Sequence, residues 1–356
     1  MTTAGTQTAE RSRISFVQSI NEAIAQEMER DPSVIVIGED VAGAPGKKDQ
    51  GFEDAWGGVF KLTKGLIGKF GSERVLDTPI SEAGFIGAGV GAAATGLRPI
   101  VEMMFVGFYG VCADQITNNA AKMHYMFGGK VTLPITIITN TGTGAGAAAQ
   151  HSETLYSIFA HFPGLKCVVP SDAYTAKGLM TAAIRDDDPV IIFLHKLLLG
   201  RTRAGLRPSE EWIVPEEPYI VPIGKANVAR EGEDLTMVGI GYTTGLCLQA
   251  ADALEKQGVN AEVIDLLSLS PMDEETVIES VKKTRRILVA DEDYPRCSVA
   301  TDISALVGEK AFDYLDAPPR RVCPPHSPVP YSIMLERLFA PTKEKVLEAA
   351  IEVLEA

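Results

Sequence analysis

Short, unbroken apolar runs alternating with helix-length segments constrain this chain more than any other feature. The first run, VIVIG (34–38), follows SFVQSINEAIAQEMERD, in which Ile20, Ile24 and Met28 recur at helical spacing. The alternation continues through RVLDTP, a small-residue helix after Glu82, PIVEMM, a helix around 109–125, ITIITNTG, a helix from Thr154, LKCVVP, the helix AYTAKGLMTAAIRD and PVIIFLH. Strands with no polar alternation are buried on both faces, so the pattern predicts an α/β fold, doubly wound around a mostly parallel sheet.

The pattern breaks in RTRAGLRPSEEWIVPEEPYIVP, whose four prolines and many charges can sustain neither a helix nor a central strand. A second alternation follows: DLTMVGIG, the helix TGLCLQAADALEKQG, the strand AEVIDLLSL, the helix DEETVIESVKKT, RRILVADED, RRVCPP and a C-terminal helix PTKEKVLEAAIEVLEA. The expected organisation is a unit over 1–205, a linker over 206–222 and a smaller, doubly wound α/β unit over 223–356. No 20–50-residue period repeats, which excludes a solenoid.

Charge and cysteine content narrow the function classes. With 33 Lys and Arg against 47 Asp and Glu, the net charge of −14 repels a phosphate backbone, and no basic run interleaved with aromatics offsets it, so no nucleic-acid partner is expected. The five cysteines are scattered, odd in number and without a CxxC pair, which fits reduced thiols rather than a disulfide framework or a zinc ribbon. The opening MTTAGTQTAERSR lacks the apolar core of a signal peptide, and no 18-residue apolar run follows. The expectation is a soluble, cytoplasmic protein with no membrane partner.

Three glycine clusters, GAGVGAA (87–93), GTGAGA (142–147) and GIGYTTG (239–245), invite a dinucleotide reading. None places its glycines in a strand-to-helix turn of a full dinucleotide unit with an acid about 20 residues on, so NAD binding is not expected. The segment DTPISEAGFIGAGVGAAATG puts Glu82 where a strand gives way to a helix of small residues. Glu82 there either serves the helix start, where a carboxylate is favoured, or is buried, with a raised pKa, to hydrogen-bond a flat heterocycle. His151, in AAAQHSET, lies on a loop after an expected parallel strand, at the edge where open α/β sheets bind ligands. His124, His161 and His195 read as structural, and His326 as part of a surface loop near the site. No pair of histidines has metal-ligand spacing.

Taken in order, GEDV (38–41), DTPISEAGF (77–85), TGLRPIVEMMF (95–105), AAKMHYMFGG (120–129), AAQHSE (148–153), PGLKCVVPSD (163–172) and LDAPPRRV (315–322) resemble the beta subunit of the thiamine-diphosphate-dependent component of 2-oxo acid dehydrogenase complexes. Within that family, EDAWGGV (53–59) and DEDYPRCSVATDI (291–303) look like the acetoin dehydrogenase branch. The resemblance implies a transketolase-like pyrimidine-binding domain followed by a transketolase C-terminal-like domain. It implies that Glu82 hydrogen-bonds the aminopyrimidine ring of thiamine diphosphate, that His151 assists proton transfer, that Phe108 packs on the pyrimidine, and that Ile80 and Met104 line the pocket.

For acetoin, the implied reaction releases acetaldehyde and passes a two-carbon unit to a lipoyl group. The chain contains no Gly-Asp-Gly segment, which the wider superfamily uses for magnesium and the diphosphate. The resemblance therefore implies half an active site: magnesium and the diphosphate are held mainly by an alpha subunit, in an alpha2-beta2 heterotetramer that docks on a lipoyl acyltransferase core. AIRDDDP (183–189) resembles a family potassium site, implying Ile135, Ala183, Asp186 and Asp188 as ligands; on sequence alone it reads as a polar turn. Leu194 departs from the family, which usually has an acid there. Pyruvate or a branched-chain 2-oxo acid is the alternative substrate, and a non-catalytic assembly subunit the alternative class.

Overall fold

The computed structural model describes residues 11–43, 56–200 and 212–356. Residues 53–55 of EDAWGGV and 206–211 of the expected linker lie outside the described residues. Strand β1 (Arg11–Arg13) leads into α1 (Phe16–Arg30), β2 (Val34–Gly38), α2 (Leu66–Phe70), β3 (Val75–Asp77), α3 (Glu82–Ala94) and β4 (Arg98–Phe105). A helical run follows, with a 3-10 turn over Val106–Phe108, α4 (Tyr109–Asp114), a π-helical turn over Gln115–Ala120 and α5 (Ala121–Met126). Then come β5 (Thr136–Thr141), α6 (Tyr156–Ala160), β6 (Lys166–Val168), α7 (Ala173–Arg185), β7 (Val190–His195) and α8 (Lys196–Leu199). The second half comprises β8 (Ile213–Pro215), β9 (Asn227–Arg230), β10 (Leu235–Gly239), α9 (Tyr242–Glu255), β11 (Ala261–Asp265), β12 (Ser268–Ser270), α10 (Glu274–Thr284), β13 (Ile287–Ala290), α11 (Val299–Lys310), β14 (Arg320–Val322), α12 (Ile333–Phe339) and α13 (Lys343–Glu355).

Two mostly parallel sheets result, ordered β12-β6-β7-β5-β4-β2-β3 and β14-β13-β10-β11-β9. Only β12 in the first and β9 in the second run antiparallel to their neighbours. The continuous apolar runs occupy the sheet centres, and every residue of β2, β5, β7, β10 and β11 is buried. Helix α1 starts on a capping box in which Ser15 Oγ accepts from the Gln18 amide at 3.2 Å and Gln18 Oε1 accepts from the Ser15 amide at 2.9 Å. Its Ile20, Ile24 and Met28 are buried, as their spacing predicts.

One strand differs from the sequence expectation. AEVIDLLSL is not a single strand: β11 pairs with β10 in the second sheet, while β12 pairs with β6 in the first, at Ser268 opposite Val168. The chain changes sheet at Leu267, whose φ is +54°. A uniformly buried apolar run carries no periodicity to mark that break, and neither Gly nor Pro punctuates it. One apolar cluster therefore runs through both sheets, from Ile137 and Phe193 to Val238, Ile264 and Val289.

The proline-rich segment after residue 212 is strapped to the first sheet's helices. Fully buried Lys177 on α7 donates to the carbonyls of Pro215 at 2.6 Å and Glu216 at 2.8 Å, and pairs with Glu22 at 3.1 Å. These bonds satisfy carbonyls that a proline-rich strand cannot place in a full ladder. Among the described residues, no helix is long and apolar enough to cross a membrane.

Candidate active site

The polar side chains with the least local compensation gather at the carboxyl ends of β2, β3, β4 and β5, the edge at which open parallel sheets present ligand crevices. Glu82 is the first residue of α3, and Ser81, at the cap position, makes no side-chain capping bond. The Glu82 carboxylate is 9% exposed and accepts no hydrogen bond from the described residues. Small residues let α3 lie close to the sheet: a Cβ at Gly89 would come within 2.6 Å of Val101 Cγ2.

Two further carboxyls lie at the same strand ends, Glu39 within reach of the Glu82 charge and Glu102 within reach of the Glu39 charge. Glu102, on β4, is 4% exposed, and neither of its oxygens has a hydrogen-bond partner among the described residues. Burial, reinforced by the charges of Glu39 and Asp40, pushes its carboxyl up to about 8. Glu39, just after β2, is raised by burial and then by the charges of Glu82 and Asp40, and its Oε1 is also buried without a partner. Neither residue was singled out from the sequence. The available signals were an acid interrupting the apolar run PIVEMM and an acid pair directly after VIVIG.

An aromatic wall stands at the same end of the sheet. The Phe105 ring meets His151 edge-on at 4.6 Å, Phe108 at 5.6 Å and Phe60 at 5.8 Å, and Phe108 meets His151 at 5.5 Å. Cys112 on α4, whose Sγ lies 3.6 Å from the Phe108 carbonyl, has its thiol pushed up to about 12 by burial and then by the Glu82 charge. Met104 is half-buried, its carbonyl accepting from Asn140 Nδ2 at 2.6 Å. Ile80, on the β3–α3 connection, is 84% exposed. The fold thus brings Glu82, Met104, Phe108 and His151 to one rim and leaves Ile80 projecting from its edge. A buried carboxylate with open acceptor capacity beside aromatic rings fits a flat, nitrogen-bearing heterocycle.

The loop over 142–154 that carries His151 is held from beneath by charged groups. Lys196 Nζ donates to the His151 carbonyl, and to Ser152 Oγ at 3.0 Å. Glu292 accepts from the Thr143 amide at 2.7 Å and lies 2.6 Å from His195 Nε2, and Glu336 accepts from the Gly146 amide at 2.9 Å. Any Cβ at Gly142, where φ is +90°, would fall inside the His195 ring. His195 is therefore structural, as is His124, whose Nδ1 lies 2.8 Å from the Val131 carbonyl. His326 is exposed and meets Tyr294 edge-on at 5.9 Å.

Ile135, Ala183, Asp186 and Asp188 come together at the opposite edge of the sheet, near the amino ends of β5 and β7. The Ile135 carbonyl accepts from the Val190 amide at 2.9 Å and the Ala183 carbonyl from the Asp186 amide at 3.3 Å. Two side-chain cations already serve this turn: Arg98 donates to the Asp186 carbonyl, and Lys166 binds the carboxylates of Asp186 at 2.8 Å and Asp188 at 3.0 Å. No cluster of three or more His, Cys, Asp or Glu side chains able to hold a metal occurs among the described residues. Leu194 is fully buried in β7, opposite Asn140.

Residues 12–202 match the transketolase pyrimidine-binding domain and residues 224–346 the transketolase C-terminal domain. The chain belongs to the transketolase pyrimidine-binding family. Within that family it is 50% identical over 341 residues to the beta subunit of acetoin:2,6-dichlorophenolindophenol oxidoreductase from Bacillus subtilis, covering 96% of this chain and 97% of the relative. The Cupriavidus necator subunit of the same name is 51% identical over 338 residues, 95% of this chain and 96% of the relative. The 2-oxoisovalerate dehydrogenase beta subunit of Bacillus subtilis is 42% identical, over 97% of this chain and 99% of that one. Among solved structures, an inactive beta4 tetramer of a split-gene transketolase superposes with a TM-score of 0.73 at 21% identity, over 97% of this chain and 99% of that one. The last likeness bears on the fold of this transketolase-family chain alone.

Proposed function

We propose that this chain is the beta subunit of a thiamine-diphosphate-dependent acetoin dehydrogenase, which cleaves acetoin to acetaldehyde and passes the two-carbon unit to a lipoyl group. The observation that carries the reading is Glu82: a buried carboxylate with unused acceptor capacity, on the rim shared with Phe108 and His151, in a chain similar over its length to acetoin oxidoreductase beta subunits. When bound, thiamine diphosphate supplies the electron sink for carbon–carbon cleavage. Glu82 holds a proton at the pyrimidine ring, Phe108 packs on that ring, and Ile80 and Met104 line its surroundings. His151 takes or gives a proton at the reacting oxygen. The aromatic wall of Phe60 and Phe105 keeps bulk water from that side.

The site is shared between chains. A diphosphate needs a cation and backbone donors, and with no Gly-Asp-Gly segment here, magnesium and the diphosphate belong to an alpha chain in an alpha2-beta2 assembly. We assign residues 1–205 to the pyrimidine-binding unit, 206–222 to the linker and 223–356 to a unit that pairs subunits and docks the lipoyl acyltransferase core. Potassium at the turn of Ile135, Ala183, Asp186 and Asp188 would share carbonyls that already serve two backbone amides and Arg98, beside the Lys166 ammonium, so no step is assigned to it. Five free thiols support a cytoplasmic setting.

The test is turnover of the chain co-purified with its alpha partner, with thiamine diphosphate and magnesium, on acetoin, pyruvate and 3-methyl-2-oxobutanoate in turn. Acetoin-selective turnover that needs both chains is expected. Selective turnover of either 2-oxo acid would move the substrate to the pyruvate or branched-chain branch, and turnover by the isolated chain would overturn the shared site.

A further inference from the structure

We propose that Lys196 is a positioning residue for His151, fixing the imidazole against the aromatic wall through the backbone of its own loop. The inference rests on the reading of His151 as the site histidine. Lys196 opens α8, is 6% exposed, and spends its ammonium on two acceptors one residue apart, the His151 carbonyl and Ser152 Oγ. Its Nζ also lies 5.8 Å above the Phe105 ring, the ring that meets His151 at 4.6 Å. One cation thus holds the loop from below and the wall that limits the imidazole from the side.

Downstream the Gly142 amide donates to the Glu153 carbonyl at 3.1 Å, and among the described residues only Lys196 hydrogen-bonds the His151 backbone itself. Glu292 and Glu336 grip it at Thr143 and Gly146, five or more residues upstream, and Gly144 and Gly146 between them adopt φ of +93° and +65°. A glycine-rich approach leaves the histidine end free to shift unless it is tied separately. Lys196 supplies that tie at the cost of burying an ammonium, whose pKa burial pulls down to about 8 against the opposing charges of Glu336 and Glu292. A buried charge with this cost and no core-packing purpose is expected where geometry matters to function.

The test is a double-mutant cycle on the complex with the alpha chain, reading kcat, KM and the unfolding temperature. Lys196→Met, matched in length and apolar, should lower kcat about tenfold and leave KM within about twofold, because a small misplacement of a catalytic group acts on the chemical step. Lys196→Gln keeps a donor and should recover part of that loss, which also covers the case of a Met variant that folds poorly. His151→Gln should cost about a hundredfold, and adding Lys196→Met to it should cost no more than about twofold further, since Lys196 then has nothing to position. A kcat insensitive to His151→Gln would overturn the reading of His151 itself. A kcat sensitive to His151 but not to Lys196, or a double variant in which the two losses multiply, would overturn this proposal alone.

Discussion

Glu82 and Glu102, at the strand ends of the first sheet, and the carboxylates after β13 in the second are all buried but differently employed. Asp291, Glu292 and Asp293 are consecutive, 0%, 7% and 3% exposed, and all three reach the first half: Asp291 and Asp293 meet Tyr156 and Ser157 on α6, and Glu292 meets His195 on β7 and Thr143 on the loop after β5. Although burial alone would raise it, the His195 ring and the Thr143 donors hold Glu292 below the usual carboxylate range. Glu82 and Glu102, by contrast, accept nothing from the described residues, and Glu39 keeps a buried oxygen unpaired. Satisfied acids staple the two sheets together, while unsatisfied ones retain acceptor capacity that can be given to a ligand.

The largest effect should follow from Glu82→Gln, which keeps shape and removes the charge. Turnover of the reconstituted complex should fall at least a hundredfold, with the unfolding temperature of the chain unchanged. If the unfolding temperature dropped instead, Glu82 would belong with the staple and the contrast would collapse. Next comes Glu292→Ala, which strands His195 in the interior and should cost about 3 kcal/mol in denaturant unfolding at pH 7. Because the Glu292 carboxyl is held below its ordinary 4.5, its stabilisation is present above that value and lost as pH falls through the folded pKa. The gap between wild type and variant should therefore narrow below pH 4.5, and a constant gap would rule out an ionic origin.

A smaller loss, about 1–2 kcal/mol, is expected for Tyr156→Phe, which removes one donor to Asp291 and leaves its bonds from the Asp293 and Ala300 amides. Unfolding free energies would measure it, and a neutral result would mean that Asp291 is satisfied without the tyrosine. The smallest effect sharpens the contrast from the other side. Glu102 is raised from 4.5 to about 8, so its contribution to stability is full below 4.5 and is lost as pH climbs toward 8. Glu102→Gln has no proton to lose; its stability should stay closest to wild type at pH 5 and gain on wild type progressively toward pH 8. Destabilisation at both pH values would show that Glu102 is a paired, structural acid.

Much of this organisation is legible in the chain itself. Apolar runs such as VIVIG and PVIIFLH specify parallel strands because only burial on both faces tolerates them. Glu82 and His151 stand out because each sits where a strand hands over to a loop or helix, the positions that face a crevice. Glu102, Phe105 and Lys196 were missed for a common reason. Each lies within a strand or directly after one, at a position that sequence assigns to packing, and its importance depends on partners 44 or more residues away or on their absence. Lys196, for instance, meets the His151 carbonyl across 45 positions.

The sequence by itself determined two alternating α/β units, the proline-rich break between them and the family to which they belong, since periodicity and local motifs are properties of neighbouring residues. Only the tertiary structure decided that AEVIDLLSL divides between two sheets, that three consecutive acids bind the halves together, and that a neighbouring group of acids stays unpaired. The physical reason is that burial and pairing are set by whatever lies across the sheet, and a residue's own neighbours in the chain do not fix that environment.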